Sequence, residues 1–138
     1  MTTVVVDSGP LIAAFNVRDT HHAVCAALLN RTDVDFVVPV LCIGETAQIL
    51  AARSGWELER RFIAAVSGID VSLPAPDDWR AIADQIERYS GFDIGAADAS
   101  VIVLAERLGA DIIATLDHRH FRAIRPRHVE SFTLLPEL

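Results

Sequence analysis

The chain has 138 residues, enough for one domain with a core of its own. With 51% hydrophobic and 22% charged residues, it is neither a disordered chain nor a collagen or mucin-like one. Its net charge is −7 and all twelve basic residues are arginine, which excludes a general nucleic-acid coat and any mechanism that needs a lysine.

Thr3 to Val6 is a β-branched run without alternation, the pattern of a strand buried on both faces. Asp7-Ser8-Gly9-Pro10 ends it, and Pro10 opens a helix that Leu11 to Phe15 continue. Asp19 or Thr20 is expected to cap a second helix that presents Ala23, Val24, Ala27 and Leu28 on one face. Phe36 to Val38 reads as the next strand. Two helical stretches follow, 40–53 and 56–67, separated by Ser54-Gly55, the second with Leu58, Phe62, Ile63 and Val66 as its apolar face. Ile69, Val71 and Leu73 alternate as a third strand. Residues 77–89 are predicted helical, and 95–108 form a long apolar helix closed by Gly109. Asp111 to Thr115 is another buried strand, and Phe132 to Leu135 the last.

Strands alternating with helices predict an α/β fold, a mostly parallel sheet covered on both faces, as a single domain over residues 1–138. No apolar run reaches the roughly 18–20 residues of a membrane span. The first residues lack the basic stretch of a secretory signal, and Cys25 and Cys42 both lie in apolar helical patterns. A reduced, cytoplasmic protein is therefore expected.

Four acids stand where a folding role does not call for them. Asp7 follows the first strand and Asp117 follows Ile112 to Leu116, so in a parallel sheet both fall at the carboxyl edge, where such sheets bind ligands. Glu45 shares a helix face with Leu41 and Ile49. Asp98 lies among Ala96, Ala97, Ala99, Val101 and Ile102, with no arginine at helical spacing. Singly, Asp7 and Asp117 could be helix caps or turn residues, and Asp98 could answer the positive end of its helix. Together, clustered carboxylates need a cation, and an all-oxygen site suits Mg²⁺ or Mn²⁺.

With these motifs the sequence resembles the PIN-domain nucleases, in particular the VapC-type toxins. The matching pieces are Val4 to Leu11, the helix Leu41 to Leu50 carrying Glu45, Gly95 to Ala99, and Thr115 to Phe121, with Phe132 to Pro136 at the end. The resemblance implies a three-layer α/β/α fold and a metal site of Asp7, Glu45, Asp98 and Asp117. Ser8 and Thr115 would support it, and Asp93 is an additional acid that either assists the site or caps the following helix. It implies Mg²⁺- or Mn²⁺-dependent cleavage of RNA, a VapB-type antitoxin held in part by the 40–67 helical hairpin, and a homodimer.

His118 to His128 is a basic segment without an acid, beside Asp117. Arg119, Arg122 and Arg125 are its candidate phosphate contacts, a solvated loop being the alternative. An aspartate-based phosphotransfer protein would share the strand-then-aspartate motif, but the absent lysine counts against it. A catalytically inactive PIN fold acting as a binding module is the non-enzymatic alternative, and four intact acids count against that. No Gly-x-Gly-x-x-Gly follows a strand, so dinucleotide binding is excluded.

Overall fold

Val4, Val5 and Val6 are fully buried, because the strand they form is the middle of the sheet. The structure, a computed structural model, describes residues 1–138. β1 (Thr2–Val6) pairs in parallel on both sides, with β2 (Val34–Pro39) and with β4 (Ile112–Ala114). In register, Val5 lies opposite Val37 on one side and Ile113 on the other. β3 (Val71–Ser72) and β5 (Thr133–Leu135) form the edges, giving five parallel strands in the order β3-β2-β1-β4-β5.

The seven helices are α1 (Ser8–Phe15), α2 (His22–Leu29), α3 (Val40–Ser54), α4 (Trp56–Ala65), α5 (Pro76–Arg88), α6 (Ala96–Leu108) and α7 (His118–Ala123). Right-handed crossovers put the β1-to-β3 connections on one face and those returning through β4 to β5 on the other. The result is the three-layer α/β/α arrangement expected. α6 is buried almost all round, from Ala97 through Ala105 except Asp98, and packs on β1, β2 and β4. Gly109 closes it in the left-handed conformation, φ 64°, as its position predicts. Arg107 reaches from the end of α6 to the Asp78 carboxylate and, at 2.9 Å, to the Ser72 hydroxyl, tying α6 to α5 and β3.

Some local expectations differ from the structure. In α2 the buried residues are Cys25 and Leu28, while Ala23, Val24 and Ala27 face outward. Every residue after His22 in this short helix is apolar, so the pattern holds no polar face to set its rotation. Neither Asp19 nor Thr20 caps it: the N-cap position falls on His21, whose N–H is accepted by Asp19 at 2.8 Å in a turn before the helix. In α4, Phe62 is fully buried but Ile63 is half exposed. β3 is only two residues long and leaves Leu73 exposed, because this edge strand meets a single neighbour, at Val38 and Pro39.

Candidate active site

β1 lies where the order of the parallel strands reverses, since the chain leaves it for β2 on one side and returns to β4 on the other. Crevices form at the carboxyl ends of strands at such a switch point. Asp7 is the residue that leaves β1 there. It is 4% exposed and also the N-cap of α1, accepting the Ser8 N–H at 2.8 Å. Its second oxygen accepts the Thr115 hydroxyl at 2.8 Å, and the Cys42 thiol donates to the first at 3.9 Å. Thr115, fully buried just past β4, also accepts the Asp117 N–H at 3.0 Å. One hydroxyl thus fixes both the first and the last acid of the site.

The other carboxylates arrive on helix starts. Glu45, in the second turn of α3, accepts a hydrogen bond from the Ser8 hydroxyl. Asp98, in the first turn of α6, accepts the Gly95 N–H at 3.3 Å. Asp117 caps α7 through the His120 N–H, and its other oxygen lies 2.6 Å from His120 Nδ1. Asp7 and Asp117 cap a helix and Asp98 lies in the first turn of one, where the backbone dipole favours negative charge, while Glu45 lies a turn further along α3.

That compensation is incomplete. Burial pushes the Asp7 carboxyl up to about 7, with the Asp98 and Glu45 charges adding to it against the hydrogen bonds from Thr115 and Ser8. Burial likewise raises Asp98, and so do the Glu45 and Asp117 charges, opposed by the Gly95 N–H and His120. The Cys42 thiol, buried behind them, is held well above its usual range by burial and then by Asp7, Glu45 and Asp98. No arginine pairs with Asp7, Glu45 or Asp98. Asp117, by contrast, has a basic partner in His120, three residues on along α7.

An oxygen-only set with excess negative charge fits a hard divalent cation. No three Asp, Glu, His or Cys side chains stand close enough to clasp an ion unaided. Mg²⁺ asks for no such clasp, because it keeps several waters and binds through one or two carboxylates.

Among the remaining sequence candidates, Ser8 and Thr115 are in place. Asp93 does not cap α6: it is exposed and closes the turn Ser90–Phe92 with φ 61°, while Gly95 caps α6. It has no role in the charge balance of Asp7 or Asp98. Arg119, Arg122 and Arg125 are exposed on α7 and the loop after it. The Arg125 guanidinium is occupied by the carbonyls of Arg122 and Ile124, at 2.8 and 3.1 Å. Sequence reasoning missed Cys42, whose approach to Asp7 depends on helix packing. The pair of His120 with Asp117 is signalled in the sequence by its i+3 spacing.

Fold and site together define a class, the parallel α/β proteins with an acidic site at the switch point of the sheet. The chain belongs to the PIN domain family, whose model matches residues 4–125. It is similar to ribonuclease VapC26 of Mycobacterium tuberculosis, 28% identical over 134 residues that cover 96% of this chain and 99% of that one. Among solved structures, it resembles VapC20 of the same species, a Sarcin-Ricin loop cleaving toxin, with a TM-score of 0.79 and 18% identity over 92% of this chain and 98% of that one. It also resembles VapBC2 of Rickettsia felis bound to a promoter DNA fragment, with a TM-score of 0.67 and 13% identity over 96% and 97% of the two chains.

Proposed function

We propose that the chain is a metal-dependent endoribonuclease, the toxin of a type II toxin–antitoxin pair. It acts as one catalytic domain over residues 1–138, in the cytoplasm, as a homodimer restrained by a VapB-type antitoxin. The observation that carries the reading is the convergence of Asp7, Glu45, Asp98 and Asp117 on the switch point without an arginine among them. Family membership and the similarity to a VapC ribonuclease support the activity, and the VapBC2 likeness supports the partner.

Asp7, Glu45, Asp98 and Asp117 would hold Mg²⁺ or Mn²⁺, which polarises a phosphodiester and lowers the pKa of an attacking water. The protein's own part is positioning. Thr115 keeps Asp7 and the Asp117 backbone in fixed relation, and Ser8 holds Glu45 against the start of α1. Burial of Asp7 leaves its carboxylate poorly solvated and so more responsive to a cation. The test is cleavage of RNA by the purified protein with Mg²⁺ or Mn²⁺ and with EDTA. Cleavage is expected with metal and lost with chelator, whereas equal cleavage in EDTA would defeat the mechanism.

The exposed arginines of α7 hold substrate and do no proton chemistry, because a guanidinium stays charged at neutral pH. Replacing Arg119 and Arg122 by Ala is expected to weaken RNA binding and to flatten its salt dependence by about 0.7 per lost phosphate contact. Arg125→Ala should matter less, since its guanidinium already serves the loop backbone. An unchanged salt slope in the double variant would make the segment a surface loop.

A further inference from the structure

A second cluster of cations lies away from the acids and from α7. At the far ends of α1 and α3, an open pocket of about 560 Å³ is lined by Arg18, Arg53 and Arg61 around Phe15, Val17 and Leu58. No acid lines it, and none of the three guanidiniums has a carboxylate or hydrogen-bond partner. Of the twelve arginines only Arg31 and Arg107 form an ion pair with an aspartate, so what sets these three apart is that they line one pocket together. Phe15 and Leu58 are half-buried, and Phe15 packs edge-on against Phe62 with ring centroids 5.1 Å apart, so the floor is firm.

The pocket is connected to the acid site by a single ridge of α3. Leu41, Glu45, Ile49 and Arg53 follow one another at four-residue spacing, which aligns them along one side of a helix. Eight residues separate Glu45 from Arg53, about 12 Å of helix axis. α1 runs beside α3, with Ser8 bonded to Glu45 at one end and Phe15 in the pocket at the other. In the sheet order, α3 follows β2 and α7 follows β4, so the two basic regions arise on opposite sides of Asp7.

We propose that Arg18, Arg53 and Arg61 form a phosphate-binding subsite for the RNA strand, a few nucleotides from the scissile bond, with the strand continuing past the acids toward α7. The inference rests on the ribonuclease reading and adds a direction for the substrate. Arginine forks bind phosphate oxygens in pairs, through two parallel hydrogen bonds. An acidic peptide would find the same charges, but the ridge leading from Glu45 favours a ligand that also reaches the acids.

The experiment uses the full chain carrying Arg18→Gln, Arg53→Gln and Arg61→Gln, with Arg60→Gln as an exposed control on α4 outside the pocket. Binding of long and short single-stranded RNA, and of polyglutamate, is measured in EDTA across a salt series. The triple variant is expected to bind long RNA about tenfold more weakly, with a salt slope shallower by about 2, while short RNA and the control change little. A slope and affinity equal to wild type overturn the subsite. Loss of polyglutamate binding with RNA binding intact also overturns it and assigns the pocket to an acidic peptide. A wild type that binds no RNA at any salt removes the ribonuclease reading itself, an outcome distinct from a defect confined to the triple variant.

Discussion

Asp98→Asn is expected to abolish RNA cleavage while leaving the protein folded. The side chain is half-buried in the first turn of α6 and makes one hydrogen bond, to the Gly95 N–H at 3.3 Å, which an amide oxygen can still accept. Folding therefore loses little. A neutral amide, however, removes one of the charges that would hold the proposed cation at the site. The loss in kcat/KM should exceed the 10–100-fold typical of partners outside the metal's own ligands, so at least about 100-fold. High Mn²⁺ should restore part of it, because the defect is in metal affinity. The measurement is cleavage against metal concentration for both proteins, with circular dichroism to check the fold. Wild-type cleavage by the variant would leave Asp98 as a helix-terminal residue only.

The second large effect is on stability, and its sign distinguishes a charge cluster from a set of caps. Asp7 titrates at about 7 in the fold against 3.8 for the unperturbed group. Below about pH 4 it is protonated in both folded and unfolded chains and carries no penalty. As pH rises toward 7, the unfolded chain ionises and the fold does not, so stability falls, and above 7 the penalty is complete. A tenfold change in proton affinity is worth about 1.4 kcal/mol, which makes the penalty on the order of a few kcal/mol. Asp7→Asn should therefore be more stable than wild type in EDTA at pH 8 and nearly equal to it at pH 4. Mn²⁺ should raise wild-type stability by about 2.7 kcal/mol at a hundred times its dissociation constant, and the variant's by less. Urea unfolding at the two pH values, with EDTA and with Mn²⁺, checks both parts. A cap alone predicts no gain at either pH, because asparagine caps a helix about as well as aspartate.

Much of this arrangement was legible in the residues. The run Val4-Val5-Val6 is buried on both faces, as its lack of alternation implies, and the acid that ends it stands at the centre of the site. Glu45 and Asp98 declared themselves as carboxylates among apolar neighbours with no arginine in reach. Less was legible where the sequence offers no contrast. α2 is apolar all round, so its buried side was set by packing against α1. Leu73 continues an alternation that the short β3 does not use. The pairing of Cys42 with Asp7, and the pocket of three arginines, depend on how α1, α3 and α4 meet, which no local pattern encodes.

The Thr115–Asp7 hydrogen bond joins residues 108 positions apart, and β1 cannot complete its pairing until β4 exists. Contacts of such long sequence separation form late, after the entropy of closing the intervening loop has been met. During synthesis the amino-terminal half emerges well before its partner strand. A growing chain thus carries Asp7 and Glu45 for most of its translation without a finished site. Any cutting of RNA is withheld until almost the whole polypeptide has left the ribosome, a delay built into the order of the strands.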